Sequence, residues 1–275
     1  VLHGVPTMFI SELEDHDFEA HDLSTLRTGI MAGAPCPVEL MQDVVQRMGL
    51  VDITIGYGLT EASPLTHQTL PGDPIEKRIE TVGRPLPGTE ARIVDPETHR
   101  TLPQGEVGEI WVRGYNVMQG YVRKPDATAE AIVDGWLRTG DLGEMDPDGY
   151  YRIVGRLNEM VIVGGHNVYP AEVEQTILSM FEDRLDIVQV VGIPHPRLQE
   201  VVALVARVKN GGKVSEEEII RRCKEEMEWP KVPRRVLFMQ DFSSAMTVTG
   251  KIQKFRLREI LLEQDEAPVA ETVQA

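Results

Sequence analysis

Between Gly83 and Gly120 a glycine or proline interrupts the chain every few residues: Gly83, Pro85, Pro87, Gly88, Pro96, Pro103, Gly105, Gly108, Gly114 and Gly120. No helix of useful length survives such punctuation, because proline removes a backbone donor and glycine is entropically costly inside a helix. What fits between the breaks is short strands with period-2 patterning, at Glu90 to Val94, Gly108 to Arg113 and, further on, Tyr150 to Val154. Strands between dense turn signals predict an antiparallel sheet or small barrel. Within it Thr128 to Val133 reads as a short helix, Trp136 to Leu142 as a strand or turn, and Asp146-Pro147-Asp148-Gly149 as a hairpin turn.

The flanking stretches follow other rules. Upstream, Pro6 precedes Met8, Phe9, Ile10 and Leu13 at helical spacing, then a strand ends at Ala32 and a helix runs from Val38 to Met48. A second strand, Val51 to Ile55, leads into Gly56-Tyr57-Gly58-Leu59-Thr60-Glu61. Strand, loop, helix, strand, loop is an α/β pattern, and ligands of such sheets sit beyond the carboxyl ends of the strands. Downstream of Arg156 a strand is expected over Glu159–Val163, then a tight loop Gly164-Gly165-His166-Asn167 and a helix from Pro170 to Met180. Further strands at Ile187–Ile193, Val201–Val208 and Val236–Met239, a helix at 215–227 opened by the capping box Ser215…Glu218, and a last helix from Ile252 to Leu262 complete an α+β unit. The expected class is therefore α/β and β-rich. Residues 1–75 form part of an α/β subdomain, 76–155 a small distorted β-barrel, 156–265 a mobile C-terminal α+β domain and 266–275 a disordered tail.

The chain has 275 residues and a formal net charge of −16, which argues against the clustered basic surface of a nucleic-acid binder. Cys36 and Cys223 are too few for a disulfide scaffold and point to a reducing, cytoplasmic setting. No apolar run reaches the roughly 18 residues of a membrane span and no signal segment opens the chain. The opening Val1-Leu2-His3-Gly4-Val5-Pro6 reads as a chain entered in the middle of a domain.

Several stretches carry groups suited to an anionic ligand. Met246-Thr247-Val248-Thr249-Gly250-Lys251-Ile252 puts a lysine, a mobile point charge with three donors, just after a glycine bend. Tyr57-Gly58-Leu59-Thr60-Glu61 offers an aromatic face, a hydroxyl and a carboxylate, the groups for a stacked base, a phosphate contact and Mg²⁺. Thr139-Gly140-Asp141 places a carboxylate where both hydroxyls of a ribose can donate to it. Arg156 has a guanidinium that can fork onto ribose or phosphate, and Gly164-Gly165 leaves room for a ligand chain. Each has an ordinary alternative: a solvated lysine, a surface turn, a capping aspartate, a surface ion pair, a hairpin.

Taken in order, Gly33-Ala34-Pro35, Tyr57 to Glu61, Thr139-Gly140-Asp141, Gly155-Arg156, Gly164-Gly165 with Tyr169-Pro170-Ala171-Glu172-Val173-Glu174, and Thr249-Gly250-Lys251-Ile252 run along nearly the whole chain. The ordered set resembles the acyl- and aryl-CoA synthetases of the adenylate-forming (AMP-binding) superfamily, medium- or long-chain fatty acyl-CoA synthetases most closely. The resemblance implies that a small-molecule carboxylic acid is activated with ATP to an acyl-adenylate, after which a small C-terminal domain rotates and the thiol of coenzyme A attacks. It implies Tyr57 against adenine beside the Gly33-Ala34-Pro35 backbone, Thr60 at phosphate, Glu61 at Mg²⁺, and Asp141 on the ribose hydroxyls with Arg156 beside them. Lys251 would bridge the substrate carboxylate and α-phosphate, and Gly164 and Gly165 would line the pantetheine passage. The superfamily's phosphate loop ending Pro-Lys-Gly is absent, so a C-terminal portion of a synthetase, inactive alone, is expected; Asn158 replaces the usual Lys or Asp of the hinge. The alternatives are a carrier-protein-loading adenylation domain and a non-catalytic nucleotide-binding or interaction fragment. Acyl length and oligomeric state are not legible.

Overall fold

In the computed structural model the chain divides into two compact units, Val1–Val154 and Gly155–Ala275. The structure describes residues 1–34, 36–209, 211–247 and 252–266. Pro35, the run Val248-Thr249-Gly250-Lys251 and residues 267–275 of the expected tail therefore lie outside the described residues, while Glu266 belongs to the last helix.

In the first unit β1 (Leu2–Gly4), β2 (Thr28–Ala32) and β3 (Asp52–Tyr57) lie parallel in that order. Two short strands, β4 (His67–Gln68) and β5 (Arg84–Pro85), continue the sheet antiparallel from β3. Helices α1 (Pro6–Leu13) and α2 (Val38–Arg47) bury Phe9, Met41 and Val44 against Met31 and Ile53 of the sheet. The third helix, α3 (Ile75–Glu80), adds Ile75 and Ile79 to the edge of that core.

The glycine- and proline-rich stretch folds as expected into a curled antiparallel sheet. It consists of β6 (Thr89–Val94), β7 (Gly108–Gly114), β9 (Trp136–Met145) and β10 (Tyr151–Arg156) in the order β10-β9-β7-β6, with β8 (Ile132–Val133) paired to β9. This half-barrel closes around Ile93, Ile110, Val112, Leu137 and Tyr151, with Ala62 of the β3–β4 connection packed among them. The helix expected over Thr128–Val133 is instead α4 (Pro125–Ala131). Proline at its first turn sets the start, and the β-branched pair Ile132-Val133 leaves the helix to form a hairpin through Asp134 and Gly135, both at positive φ.

The second unit is built on a sheet ordered β12-β11-β14-β13, with β15 also paired to β14. Its strands are β11 (Val161–Val163), β12 (His166–Val168), β13 (Leu185–His195), β14 (Gln199–Val208) and β15 (Arg235–Phe238). Strand β14 is buried on both faces, which is why it reads as an almost unbroken apolar run. Val202, Leu204 and Ala206 face the core under α5 (Pro170–Met180) and α6 (Glu216–Glu226), while Val201, Ala203 and Val205 face Leu257 and Leu261 of α7 (Lys254–Glu266). Two boundaries differ from expectation. Leu157–Glu159 is a 3-10 turn, so the strand begins only at Val161. The last helix begins at Lys254, because Ile252 is held in a β-bridge with Met246. No helix among the described residues is long and apolar enough to cross a membrane.

Candidate functional site

Parallel pairing of β2 and β3 puts Ala32 beside Gly56, so Gly33-Ala34 and Tyr57-Gly58 leave the sheet side by side at its carboxyl end. Tyr57 is half-buried, and its hydroxyl donates to Asp141 Oδ2 at 2.8 Å. Asp141 is 7% exposed and comes from β9 of the other sheet. The first unit thus brings Tyr57 and Asp141 together across 84 positions of sequence. Behind Tyr57 stands His67, its cross-strand partner on β4, with ring centroids 5.6 Å apart; on its other side the His67 ring meets Tyr151 at 4.5 Å. Burial pushes the His67 imidazole down to about 3, so it is neutral. Its Nδ1 lies 3.0 Å from the Thr66 hydroxyl, whereas Nε2 is buried without a hydrogen-bond partner. Nothing in the sequence singles out this wall, since a lone histidine in Thr66-His67-Gln68 shows no periodicity.

Thr60 and Glu61 open a 3-10 turn (Thr60–Ala62) at the end of the same loop. The segment after β7 clamps Glu61 twice: its carbonyl accepts from Met118 N–H at 2.7 Å, and its Oε1 accepts from the Tyr121 hydroxyl at 2.8 Å. That bond, with some burial, raises the Tyr121 phenol above its ordinary value. Among the described residues the one cluster of three metal-ligating side chains is the exposed Asp15-His16-Asp17, so no all-protein cage surrounds Glu61. A single half-buried carboxylate beside a hydroxyl fits Mg²⁺, which is held through one or two carboxylates plus substrate phosphates. An open depression of about 490 Å³ near Tyr121, Val122 and Thr128 lies along that clamp and does not include Tyr57 or Asp141.

The second unit holds the other candidates. Arg156 ends β10. Gly164 and Gly165 form the two-residue turn between β11 and β12, at φ +58° and +85°, a shorter loop than expected. Gly164 N–H donates to Leu198 O at 2.9 Å, and a Cβ there would lie 3.1 Å from Leu198 and 3.3 Å from the Trp229 ring. His166 meets Trp229 edge-on at 5.3 Å. Lys251 lies outside the described residues; among its described neighbours Met246 bridges Ile252, and Gln253 N–H donates to Ala245 O at 2.7 Å. Beyond it, Lys254 Nζ meets Glu174 Oε1 at 2.7 Å and Glu159 Oε2 at 3.2 Å. Burial raises the Glu174 carboxyl, and Lys254 and the Val190 N–H oppose that rise.

This fold is shared with solved adenylate-forming enzymes. ATP-bound MatB from Rhodopseudomonas palustris superposes with a TM-score of 0.84 at 33% identity, over 94% of this chain and 50% of that one. Residues 1–122 match the AMP-binding enzyme family and residues 172–251 the AMP-binding enzyme C-terminal domain. The chain belongs to the AMP-binding enzyme family. It is 53% identical to the putative acyl-CoA synthetase YngI of Bacillus subtilis (strain 168), over 96% of this chain and 47% of the relative. It is 42% identical to the mitochondrial medium-chain acyl-CoA ligase ACSF2 of Bos taurus, over 94% and 42%. The chain therefore spans about half the length of the curated relatives it matches.

Proposed function

We propose that the protein to which this chain contributes activates a medium-chain fatty acid with ATP and transfers the acyl group to coenzyme A. The observation that carries this reading is the Tyr57–Asp141 pair at the carboxyl end of the parallel strands, an aromatic face with a buried carboxylate beside it. A nucleoside needs those two groups, one for its base and one for its ribose hydroxyls. The relatives' names, and the ATP held by MatB, support the same reading.

In the first step a carboxylate oxygen of the acid attacks the α-phosphorus and the bond to the β-phosphate breaks, releasing pyrophosphate. Two anions must approach, and in a water-poor cleft their repulsion is poorly screened. Lys251 donates to both and offsets that repulsion more in the transition state than in the ground state. Thr60 would bind phosphate oxygens and Glu61 would hold Mg²⁺, an ion that would supply charge neutralisation at the phosphates; Tyr121 orients the Glu61 carboxylate. Gly33, Ala34 and Pro35 offer backbone beside the adenine, and Asp141, with Arg156, holds the ribose. In the second step the coenzyme A thiol attacks the acyl carbonyl and AMP leaves, the pantetheine passing Gly164 and Gly165. Residues 156–265 act as the mobile lid between the steps. The free cysteines Cys36 and Cys223 fit a reducing compartment.

The test uses these 275 residues within a protein of the relatives' full length, of which the chain spans about half. Lys251→Ala should slow pyrophosphate release from acid and ATP by roughly 10²–10³-fold. Coenzyme A consumption with synthetic acyl-adenylate should stay near wild type. Equal loss in both assays would mean that Lys251 does not bridge the two anions of the first step.

A further inference from the structure

Strand β9 does not run evenly against β7. Glu109 pairs with Leu142 and Trp111 with Arg138, so Ile110 alone is opposed by Thr139, Gly140 and Asp141. β9 therefore bulges at those residues. Bulges re-aim the side chains around them, and here one such side chain is the Asp141 carboxylate that meets Tyr57.

Backbone groups pushed out of the ladder must find other partners. The Thr139 hydroxyl donates to Ile110 O at 2.7 Å and accepts from Asp141 N–H at 3.1 Å. Gly140, at φ +71°, gives its N–H to Glu109 Oε1 at 3.1 Å. The other carboxylate oxygen of Glu109 accepts from Trp111 Nε1 at 2.8 Å and from Arg138 Nε at 3.1 Å. Glu109 is 1% exposed. A carboxylate so deep is unfavourable unless it is paired and hydrogen-bonded, and its donors come from the bulge and from the strand residues that flank it.

The geometry points to Glu109 as a positioning residue of the nucleotide half-site: anchored by Trp111 and Arg138, its carboxylate holds the Gly140 N–H and so fixes the bulge that aims Asp141 at Tyr57. The inference rests on the proposed role of Asp141 at the ribose, and it deepens that role by naming what holds Asp141 in place.

The experiment titrates the 275-residue chain with AMP and with 2′-deoxy-AMP by calorimetry. A hydrogen bond to a charged group is worth roughly tenfold or more in affinity, so wild type should prefer AMP by about that factor. Glu109→Ala should abolish the preference while 2′-deoxy-AMP binds within about threefold of wild type, whereas Glu109→Gln, which keeps an acceptor for Gly140, should retain most of it. Weakening of both nucleotides with the preference intact overturns the inference, because a general loosening of the sheet has no reason to spare ribose reading. Wild type that shows no preference, or binds neither nucleotide, overturns the ribose role of Asp141, and Glu109 is then judged by crystal structures alone. There, Asp141 Oδ2 more than about 3.5 Å from the Tyr57 hydroxyl in Glu109→Ala supports the inference, and an unchanged bond overturns it. Should Glu109→Ala not fold, Glu109→Asp takes its place with the same expectation, since its shorter side chain cannot span from Gly140 to Arg138.

Discussion

His67 sits between two tyrosines, one of them Tyr57, and this residue has a measurable signature in pH. Its folded-state value is depressed to about 3 by burial, against an ordinary 6.5. Between those values the unfolded chain binds a proton that the folded chain refuses. Stability therefore falls as pH falls below 6.5, by at most about 1.4 kcal/mol per pH unit from this group. In His67→Gln, which keeps a polar partner for Thr66 and cannot titrate, that slope should vanish. Urea unfolding of both proteins between pH 7.5 and 5 reads the difference, and parallel curves would mean that the histidine is hydrated and titrates freely. Read as sequence, His67 is one histidine among seven and nothing marks it. Its neutrality comes from Tyr57, Tyr151 and the strands that enclose it.

Among the elements, the turn between β11 and β12 separates two demands usually made of glycine together. Gly164 and Gly165 both have positive φ, but only at Gly164 is space also short. Gly165→Ala should cost about 1 kcal/mol for the left-handed backbone alone. Gly164→Ala should cost about 1 kcal/mol more, because its methyl crowds Leu198 and the Trp229 ring. Denaturant midpoints of the two variants check the order; equal costs would show that Trp229 swings aside freely. The turn itself was legible, since two glycines between apolar runs leave few alternatives. Its crowding was not, because Leu198 and Trp229 reach Gly164 from β14's approach and from the loop before β15.

At the scale of the molecule each unit has its own core, and the second carries a charged cluster inside it. Lys254 is shared by Glu159 of the 3-10 turn and Glu174 of α5, with side-chain exposures of 16%, 29% and 18%. Lys254→Met would leave two partly buried carboxylates unpaired, at a cost of roughly 3 kcal/mol at pH 7. Glu174 already has a raised folded value, so the variant's loss should shrink as pH falls toward 5 and Glu174 takes up its proton. Adding Glu174→Gln to Lys254→Met should recover part of the loss at pH 7. A penalty that is flat in pH would assign the cost to packing instead. The measurement is thermal or urea unfolding of residues 155–266 produced alone, which should unfold in one cooperative transition.

What the sequence by itself determined is local in origin. Glycine and proline set where strands could not continue, apolar periodicity set which segments were helix or strand, and the ordered motifs placed the chain in its family. Backbone sterics and side-chain alternation act over a few residues, so they can be read from a few residues. Tertiary structure decided what depends on distant partners. Tyr57 and Asp141 each stood in the sequence as a candidate ligand group with an ordinary turn as its alternative, and only the pairing of two sheets brings them to 2.8 Å. Glu109 carries no mark in the sequence, because strand alternation cannot reveal a bulge in the neighbouring strand. The last helix begins later than its periodicity suggests because Ile252 has a better partner in Met246. In each case a contact distant in the chain, or set by pairing rather than periodicity, outweighs local preference. Its energy comes from burial and from hydrogen bonds that exist only once the sheets have formed.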